Sequence, residues 1–397
     1  MKKITFLGDI VCDRPLLKAA KQGQTFDFDT MFMPLKKKLA ESDVVVGALE
    51  TTFSGEKFGY NSRSFAYNSP DELAESIRNC GINTLTTANN HCLDYGVEGV
   101  KRTVKVLNNL NISHTGTLDY GKPYLLLESD GAKIAILSYS AVMNMKPGAK
   151  AISQKEKDIV NLITEVNPRL TPILLAKRLI PSGIRETMKT FYYQKKVNGS
   201  RPTITVMVDN NPLSERDNVY IQGFIDAAKS AKKEADIVIA CIHCGGQFNK
   251  NPGRRTKELF KRIAPYVDGI VGNHPHVIQL IEKIDNVVLA AYSLGTMNLS
   301  MSADYISFEN LPQYSLALHF YISKSGHSIQ KITGSILVSK ENQRGYVTVY
   351  PVNELLETSS ECYDKVEQDI RRILLHILPD ISIEGKIEVK DEYLLWE

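Results

Sequence analysis

Residues 82–111 read INTLTTANNHCLDYGVEGVKRTVKVLNNLN. The opening residues have the apolar and β-branched character of a buried strand, and the run stops at three polar residues, Asn89, Asn90 and His91. From Gly96 onward, apolar residues return at helical spacing, which predicts a helix. Strand, polar crest and helix form the repeating unit of an α/β sheet, and the chain repeats it on both sides. Upstream, ITFLGDI (4–10) and VVVGALE (44–50) read as strands. DTMFMPLKKKLAES (29–42) and PDELAESIRNCG (70–81) read as helices, the second stopped by Gly81. Downstream, KIAILSYS (133–140), TITVMVDN (203–210), DIVIACIH (236–243), DGIVGNH (268–274) and VVLAAYSLG (287–295) read as strands. IQGFIDAAKSAKKEA (221–235) and RRTKELFKRIAP (254–265) read as helices between them.

This pattern divides the 397 residues. An α/β core is expected over 1–140 and 203–315. Residues 141–202 break the alternation with a polar start, apolar patches and the segment FYYQKK, and are expected to form a helical insertion, a candidate lid. Residues 316–397 read as a C-terminal β-meander, a helix over 362–378 and a strand-like tail that pack on the core. A chain of this size buries a large core without disulfides or structural metals. With 43% hydrophobic and 23% charged residues, it is neither disordered nor collagen-like. The 48 basic and 45 acidic residues leave a net charge of +3, and no basic stripe stands out, so a nucleic-acid partner is not expected. No stretch reaches eighteen apolar residues, so no membrane span is expected. The first apolar run is too short for a signal sequence, and the six cysteines are not spaced as a disulfide framework. A cytoplasmic location is the expectation. The oligomeric state leaves no mark in the sequence.

The chemistry concentrates where strands end. Asp9 follows ITFLG, Glu50 follows VVVGAL, Asn89, Asn90 and His91 follow NTLTTA, His243 follows DIVIACI, and His274 and His276 follow GIVGN. In open α/β folds ligands bind at the carboxyl ends of the strands, so residues far apart in sequence converge there. Each alone has an ordinary explanation as a cap, a turn residue or a core histidine. Together they form a set of carboxylate, amide and imidazole groups without thiolate. Such a set suits one or two divalent ions, Mn, Fe or Zn first, with Ca or Mg as harder alternatives. GTLDYGKP (116–123) is not a phosphate-binding loop, since Pro123 stands where a Ser or Thr would hold magnesium and a strand follows it. Cys241 and Cys244 lie on a strand with their thiols on opposite sides.

GDIVCDR (8–14), ALETTFSG (48–55), FAYNSPDELAESI (65–77), TTANNHCLDYGVEGVKRTVKVLNNLNISHTG (86–116), IVIACIHCGGQF (237–248), IVGNHPHVIQ (270–279) and AAYSLGT (290–296) resemble the CapA (poly-γ-glutamate capsule synthesis) family. That family is related to the calcineurin-like metallophosphatases. The resemblance implies a four-layer α/β/β/α sandwich with metal ions at the sheet ends. By position, Asp9, Glu50, Asn90, His243, His274 and His276 would be ligands, with Glu50 the bridge. His91 would be the acid/base group, oriented by Asp94, and Arg14 would contact an anionic substrate. Several positions depart from the family pattern: Val11 where a histidine is usual, Ala48 for asparagine, Cys244 for tryptophan, Asn273 for the first histidine of its block, and Thr296-Met297 for Asn-Phe.

The resemblance implies hydrolysis of a phosphoester, or of an amide in a peptide-like or poly-γ-glutamate-like substrate, by metal-bound hydroxide. Two alternatives stand beside it. One is a metal-dependent peptide epimerase acting at a Cα next to a carboxyl group. The other is a non-catalytic, polymer-binding protein of capsule biosynthesis.

Overall fold

A computed structural model of the chain describes residues 1–61, 66–118, 121–129, 131–144, 159–166, 209–303, 305–323, 328–358, 363–378, 383 and 385–397. Two sheets carry it. The first holds eight strands: β1 (Lys2–Ile10), β4 (Val44–Leu49), β5 (Thr84–Thr86), β6 (Ser113–Thr115), β13 (Tyr314–Ile322), β14 (Ile329–Glu341), β15 (Val347–Pro351) and β16 (Tyr393–Trp396). The order is β15-β14-β13-β1-β4-β5-β6, with β16 pairing β14; β1, β4, β5 and β6 are parallel, and β13 joins β1 antiparallel. The second holds six strands: β7 (Leu125–Ser129), β8 (Ala132–Ser140), β9 (Ile237–His243), β10 (Gly269–Asn273), β11 (Ile281–Ile284) and β12 (Val288–Ala291). Its order is β11-β12-β10-β9-β8-β7, with parallel neighbours from β12 to β8 and antiparallel edges. A two-residue hairpin, β2 (Lys21–Gln22) and β3 (Thr25–Phe26), stands apart.

Side-chain alternation sets the layers, because successive residues of a strand face opposite sides. Ile4 and Phe6 of β1, Val44 and Val46 of β4, Ile134 and Ile136 of β8, and Ile237 and Ile239 of β9 share one core between the sheets. Leu7, Val45, Leu49 and Leu85 turn the other way, onto α1 (Arg14–Ala20), α2 (Lys36–Leu39), α3 (Asp71–Asn79) and α4 (Gly96–Asn109). Across the molecule, Leu137, Val238, Ala240 and Ile242 face α5 (Asp217–Ala231) and α6 (Arg254–Ile263). The result is the expected four-layer α/β/β/α sandwich.

Two elements differ from the sequence reading. The helix expected over 29–42 is a 3-10 turn at Met33–Leu35 continued by the short α2. Pro34 lacks an amide hydrogen and disfavours helical backbone before it, so the helix cannot extend upstream. Helix α5 begins at Asp217, before the expected 221, where its carboxylate accepts from the Ser214 amide at 2.6 Å and hydroxyl at 2.8 Å. The strand expected over 203–210 lies outside the described residues except for Asp209, which is helical, and Asn210, which is in a turn; neither is strand. Most of the 141–202 insertion also lies outside them; of its described parts, Leu162 bridges Ser140 and Val160 bridges Thr117.

The C-terminal strands β13 to β16 extend the first sheet. Helices α7 (Val352–Thr358) and α8 (Tyr363–Ile377) bury Leu355, Ile370, Ile373, Leu374 and Ile377 in the core between the sheets. The segment before β16 is held by charge. Glu392 accepts from Lys3 at 2.7 Å, Lys38 at 3.0 Å, the Tyr321 hydroxyl at 2.8 Å and the Thr333 hydroxyl at 2.6 Å. Lys3 and Lys38 are themselves buried. Burial alone would raise the Glu392 carboxyl, yet Lys3 and the hydroxyl donors outweigh it and hold it well below its ordinary 4.5. A depressed carboxyl stabilises the fold above its unfolded-state pKa and loses that contribution as pH falls below it. Glu392→Gln should therefore cost about 1 kcal/mol at neutral pH, since Lys3 keeps Glu41 at 3.1 Å and Lys38 keeps Asp391 at 2.6 Å. In urea unfolding, the gap between variant and wild type should shrink as pH falls below the ordinary carboxylate range.

Candidate metal centre

The parallel strands of both sheets end at the same rim, and the polar residues identified from the sequence meet there. Asp9 lies on β1 after Gly8, whose missing Cβ is required: a Cβ there would come within 2.2 Å of the Gly295 carbonyl oxygen. That closeness lets the Asp9 amide donate to Gly295 at 3.0 Å and aims the carboxylate into the rim, where Oδ2 accepts from the His274 amide at 2.9 Å. Glu50 directly follows β4, its amide bonded to the Ile10 carbonyl at 3.0 Å. Both carboxylates are 0% exposed.

Three imidazoles surround them. His243 Nδ1 lies 3.6 Å from Asp9 Oδ1, and its Nε2 lies 3.6 Å from Glu50 Oε1. His276 Nδ1 stands 3.7 Å from both Asp9 Oδ2 and Glu50 Oε2, and His274 Nδ1 is 3.9 Å from Glu50 Oε1. His274 and His276 have φ of +104° and +59°, a left-handed backbone that bulky residues adopt only where surrounding structure enforces it, and such strain clusters at functional sites. Glu50, His274 and His276 can place one donor atom each within 4.8 Å of one another. Asn90 reaches the cluster too, but its Oδ1 shares a 2.7 Å hydrogen bond with His243 Nε2.

Electrostatics test whether a cation fits. Asp9 Oδ1, both Glu50 oxygens and His274 Nδ1 are buried without a hydrogen-bond partner. Orphaned carboxylate oxygens are costly unless a cation or donor faces them. Burial, then the neighbouring Glu50, pushes the Asp9 carboxyl well above its usual range. Burial also opposes ionisation of Glu50, but His276, His243 and His274 outweigh it and hold that carboxyl well below its usual range. Burial lowers His243 and His276 to about 4 each, so both are neutral at pH 7, the form that ligates metal. Two carboxylates and three imidazoles thus converge with donor atoms unsatisfied, and this donor set fits a divalent ion.

Beside the cluster sits a second device. His91 Nδ1 is 2.7 Å from Asp94 Oδ2, and its Nε2 lies 3.9 Å from Glu50. Burial would lower the His91 imidazole, but the Asp94 and Glu50 carboxylates outweigh it and raise its pKa. Two residues not singled out from the sequence hold this ring. Tyr67 stacks on it at 4.2 Å between centroids while its amide donates to Asp94 at 2.7 Å. The Asn144 amide nitrogen stands 3.1 and 3.2 Å from the two ring nitrogens, and its Oδ1 accepts from Asn90 at 3.0 Å. Asn89 is the turn former, with its amide on the Leu49 carbonyl at 2.6 Å and its Oδ1 on the His91 amide at 2.9 Å.

The remaining positions differ. Arg14 opens α1, exposed, with Nε on the Asn61 carbonyl at 3.3 Å, and among the described residues no ion pair joins it to the cluster. Val11 is buried with Phe248, Val277 and Leu299, its backbone held on both sides by Asn298 at 3.0 and 2.6 Å. The position that would carry a further imidazole is therefore filled by packing. Thr296 shares a 2.8 Å hydrogen bond with His276 Nδ1, which steadies that ring.

Comparison with known proteins agrees with the residue pattern. The family model described as Bacterial capsule synthesis protein PGA_cap matches residues 3–299. The PGA biosynthesis protein CapA of Bacillus subtilis (strain 168) is 25% identical over 293 residues, 73% of this chain and 61% of that protein. The capsule biosynthesis protein CapA of Bacillus anthracis is 23% identical over 320 residues, 79% of this chain and 63% of its own. The chain thus spans about three fifths of the length of these curated relatives. A solved structure described as a novel phosphatase from Mycoplasma pneumoniae aligns over 92% of this chain and 98% of its own, at 14% identity and a TM-score of 0.42.

Proposed function

We propose that this chain, which belongs to the bacterial capsule synthesis protein PGA_cap family, is a metal-dependent hydrolase acting on a phosphoester or on an amide of a peptide-like or poly-γ-glutamate-like substrate. One observation carries the reading: three orphaned oxygens of two fully buried carboxylates face neutral imidazoles next to a histidine oriented by Asp94. Asp9, Glu50, His243, His274 and His276 would hold the ion, with Asn90 added once its oxygen leaves His243. A bound divalent ion supplies an acidified water and stabilisation of developing oxyanion charge.

The protein's own groups do the rest. Asp94 fixes the His91 ring through Nδ1, which leaves Nε2 facing the cluster to give a proton to the departing oxygen or nitrogen. Tyr67 and Asn144 keep that ring from rotating, so the proton is delivered along one direction. Arg14, exposed near the rim, would meet an anionic group of the substrate arriving from solvent.

The test is a paired assay on the full chain with manganese or zinc added. Hydrolysis of bis-p-nitrophenyl phosphate or of a γ-glutamyl amide, suppressed by chelator, is the expected result. Deuterium exchange at a peptide Cα without cleavage would replace hydrolysis by epimerisation, and neither activity would leave a binding protein.

A further inference from the structure

The segment between β12 and β13 is tied down over the rim of the metal centre. Thr296 meets His276 at 2.8 Å, and Asn298 brackets the Val11 backbone at 3.0 and 2.6 Å. Ser300 donates to Asp13 through its hydroxyl at 2.5 Å and its amide at 3.2 Å. The Ala303 and Ile306 amides close turns on the Ser300 and Ala303 carbonyls at 3.1 and 3.3 Å, and Asn310 donates to the Phe248 carbonyl at 2.9 Å. Tyr305 stands between these anchors. It packs with Met301 and Ile306 on the apolar cluster of Val11, Phe248, Val277 and Leu299, its ring 6.3 Å from that of Phe248.

Tyr305 is half-buried while its oxygen is fully enclosed, so the hydroxyl points inward from the surface. There it finds no hydrogen bond of ordinary length and angle. An enclosed hydroxyl without a partner is costly, and few are found without a reason. Both sides of the rim flank it. On one side the Phe248 ring lies 5.6 Å from that of His276; on the other, Tyr67 stacks on His91 at 4.2 Å. Burial first, then Tyr67 and the Asp13 and Glu50 carboxylates, raise the Tyr305 phenol well above its ordinary 10, so it keeps its proton. The group is a donor held at the metal centre without an acceptor.

We propose that Tyr305 is a substrate-contacting residue of the metal centre, its hydroxyl donating a hydrogen bond to the oxygen that gains negative charge as the substrate is cleaved. The inference rests on the hydrolase reading and adds one specific donor to it. The apolar bed under the ring, of which Val11 is part, keeps water from competing for that bond. The anchored segment fixes the donor's direction before the substrate arrives, which is where such a contact gains its effect. No proton changes hands at Tyr305; His91 remains the group that delivers one.

Tyr305→Phe tests the assignment, since it keeps the ring and removes only the oxygen. The manganese-loaded full chain is assayed with bis-p-nitrophenyl phosphate and, separately, titrated in a calorimeter with tungstate, a compact oxyanion. The variant should lose about a hundredfold in kcat with KM within about twofold, the scale of one lost oxyanion donor. It should bind tungstate about tenfold more weakly, with ion content and unfolding temperature unchanged. Tyr346→Phe, which removes another enclosed hydroxyl from the core beneath α1 to α4, should change neither value. Equal tungstate affinity in wild type and Tyr305→Phe, or no tungstate binding by the wild type, would overturn the proposal; the hydrolase reading survives that result if the wild type still cleaves the diester. Tungstate binding that depends on Tyr305, without cleavage of the diester or of a γ-glutamyl amide, would support the contact and overturn the hydrolase reading instead.

Discussion

Glu50→Gln is expected to weaken divalent-ion binding at least about a hundredfold, because second-shell losses alone reach that size and Glu50 stands at the centre of the donor set. Its two oxygens are within 3.6 to 3.9 Å of donor atoms on His243, His274 and His276, closer to the imidazoles as a group than any other residue. Glutamine keeps the shape and removes the charge, so the packing of β4 is untouched. A second effect separates loss of a ligand from misfolding. The ion-free variant should still unfold in one cooperative urea transition, as the ion-free wild type does. Competition against a fluorescent chelator reads the affinity, and wild-type affinity in the variant would remove Glu50 from the site.

His91→Ala should lower turnover about a hundred- to ten-thousandfold, the range for losing a positioned acid or base, while ion content stays at the wild-type level. The ring is oriented by Asp94, Tyr67 and Asn144, none of them in the ligand set, and its Nε2 is 3.9 Å from Glu50. Asp94→Asn should follow in the same direction with a smaller loss, since Tyr67 and Asn144 still hold the ring. Side-by-side kinetics and elemental analysis decide the assignment. An unchanged turnover number in His91→Ala would move the proton transfer elsewhere, and loss of the ion would make His91 a ligand.

Much of this architecture is legible in the residues because burial on both faces leaves an unambiguous mark. Strands such as DIVIACIH are apolar on both sides, and their polar successors stand out at the rim. The thiols of Cys241 and Cys244 do fall on opposite sides, one between the sheets and one beneath the helices. The convergence of Asp9, Glu50, His243, His274 and His276 followed from the same rule of strand ends. What the residues concealed is long-range. Asn144 stands alone between Met143 and Met145, and it reaches His91 through the fold, where its backbone amide donates to the Asn90 carbonyl at 3.0 Å just beyond the end of β8. Tyr67 reads as an ordinary aromatic because ring stacking has no sequence spacing. Glu392 reads as one more tail carboxylate until β16 settles on β14 and sets it between Lys3 and Lys38. The left-handed backbone at His274 and His276 is similarly hidden, since positive φ is uncommon for any residue but glycine and no spacing marks it.

The effects expected of Glu50→Gln and His91→Ala both require that the buried carboxylate–imidazole cluster hold a divalent cation. Elemental analysis of the full chain, purified without chelator and then dialysed against manganese or zinc, tests that claim most directly. One or two tightly held ions per chain are expected, lost together in Asp9→Asn and His274→Ala proteins that remain folded. A chain that retains none after such loading, while folded, would contradict it.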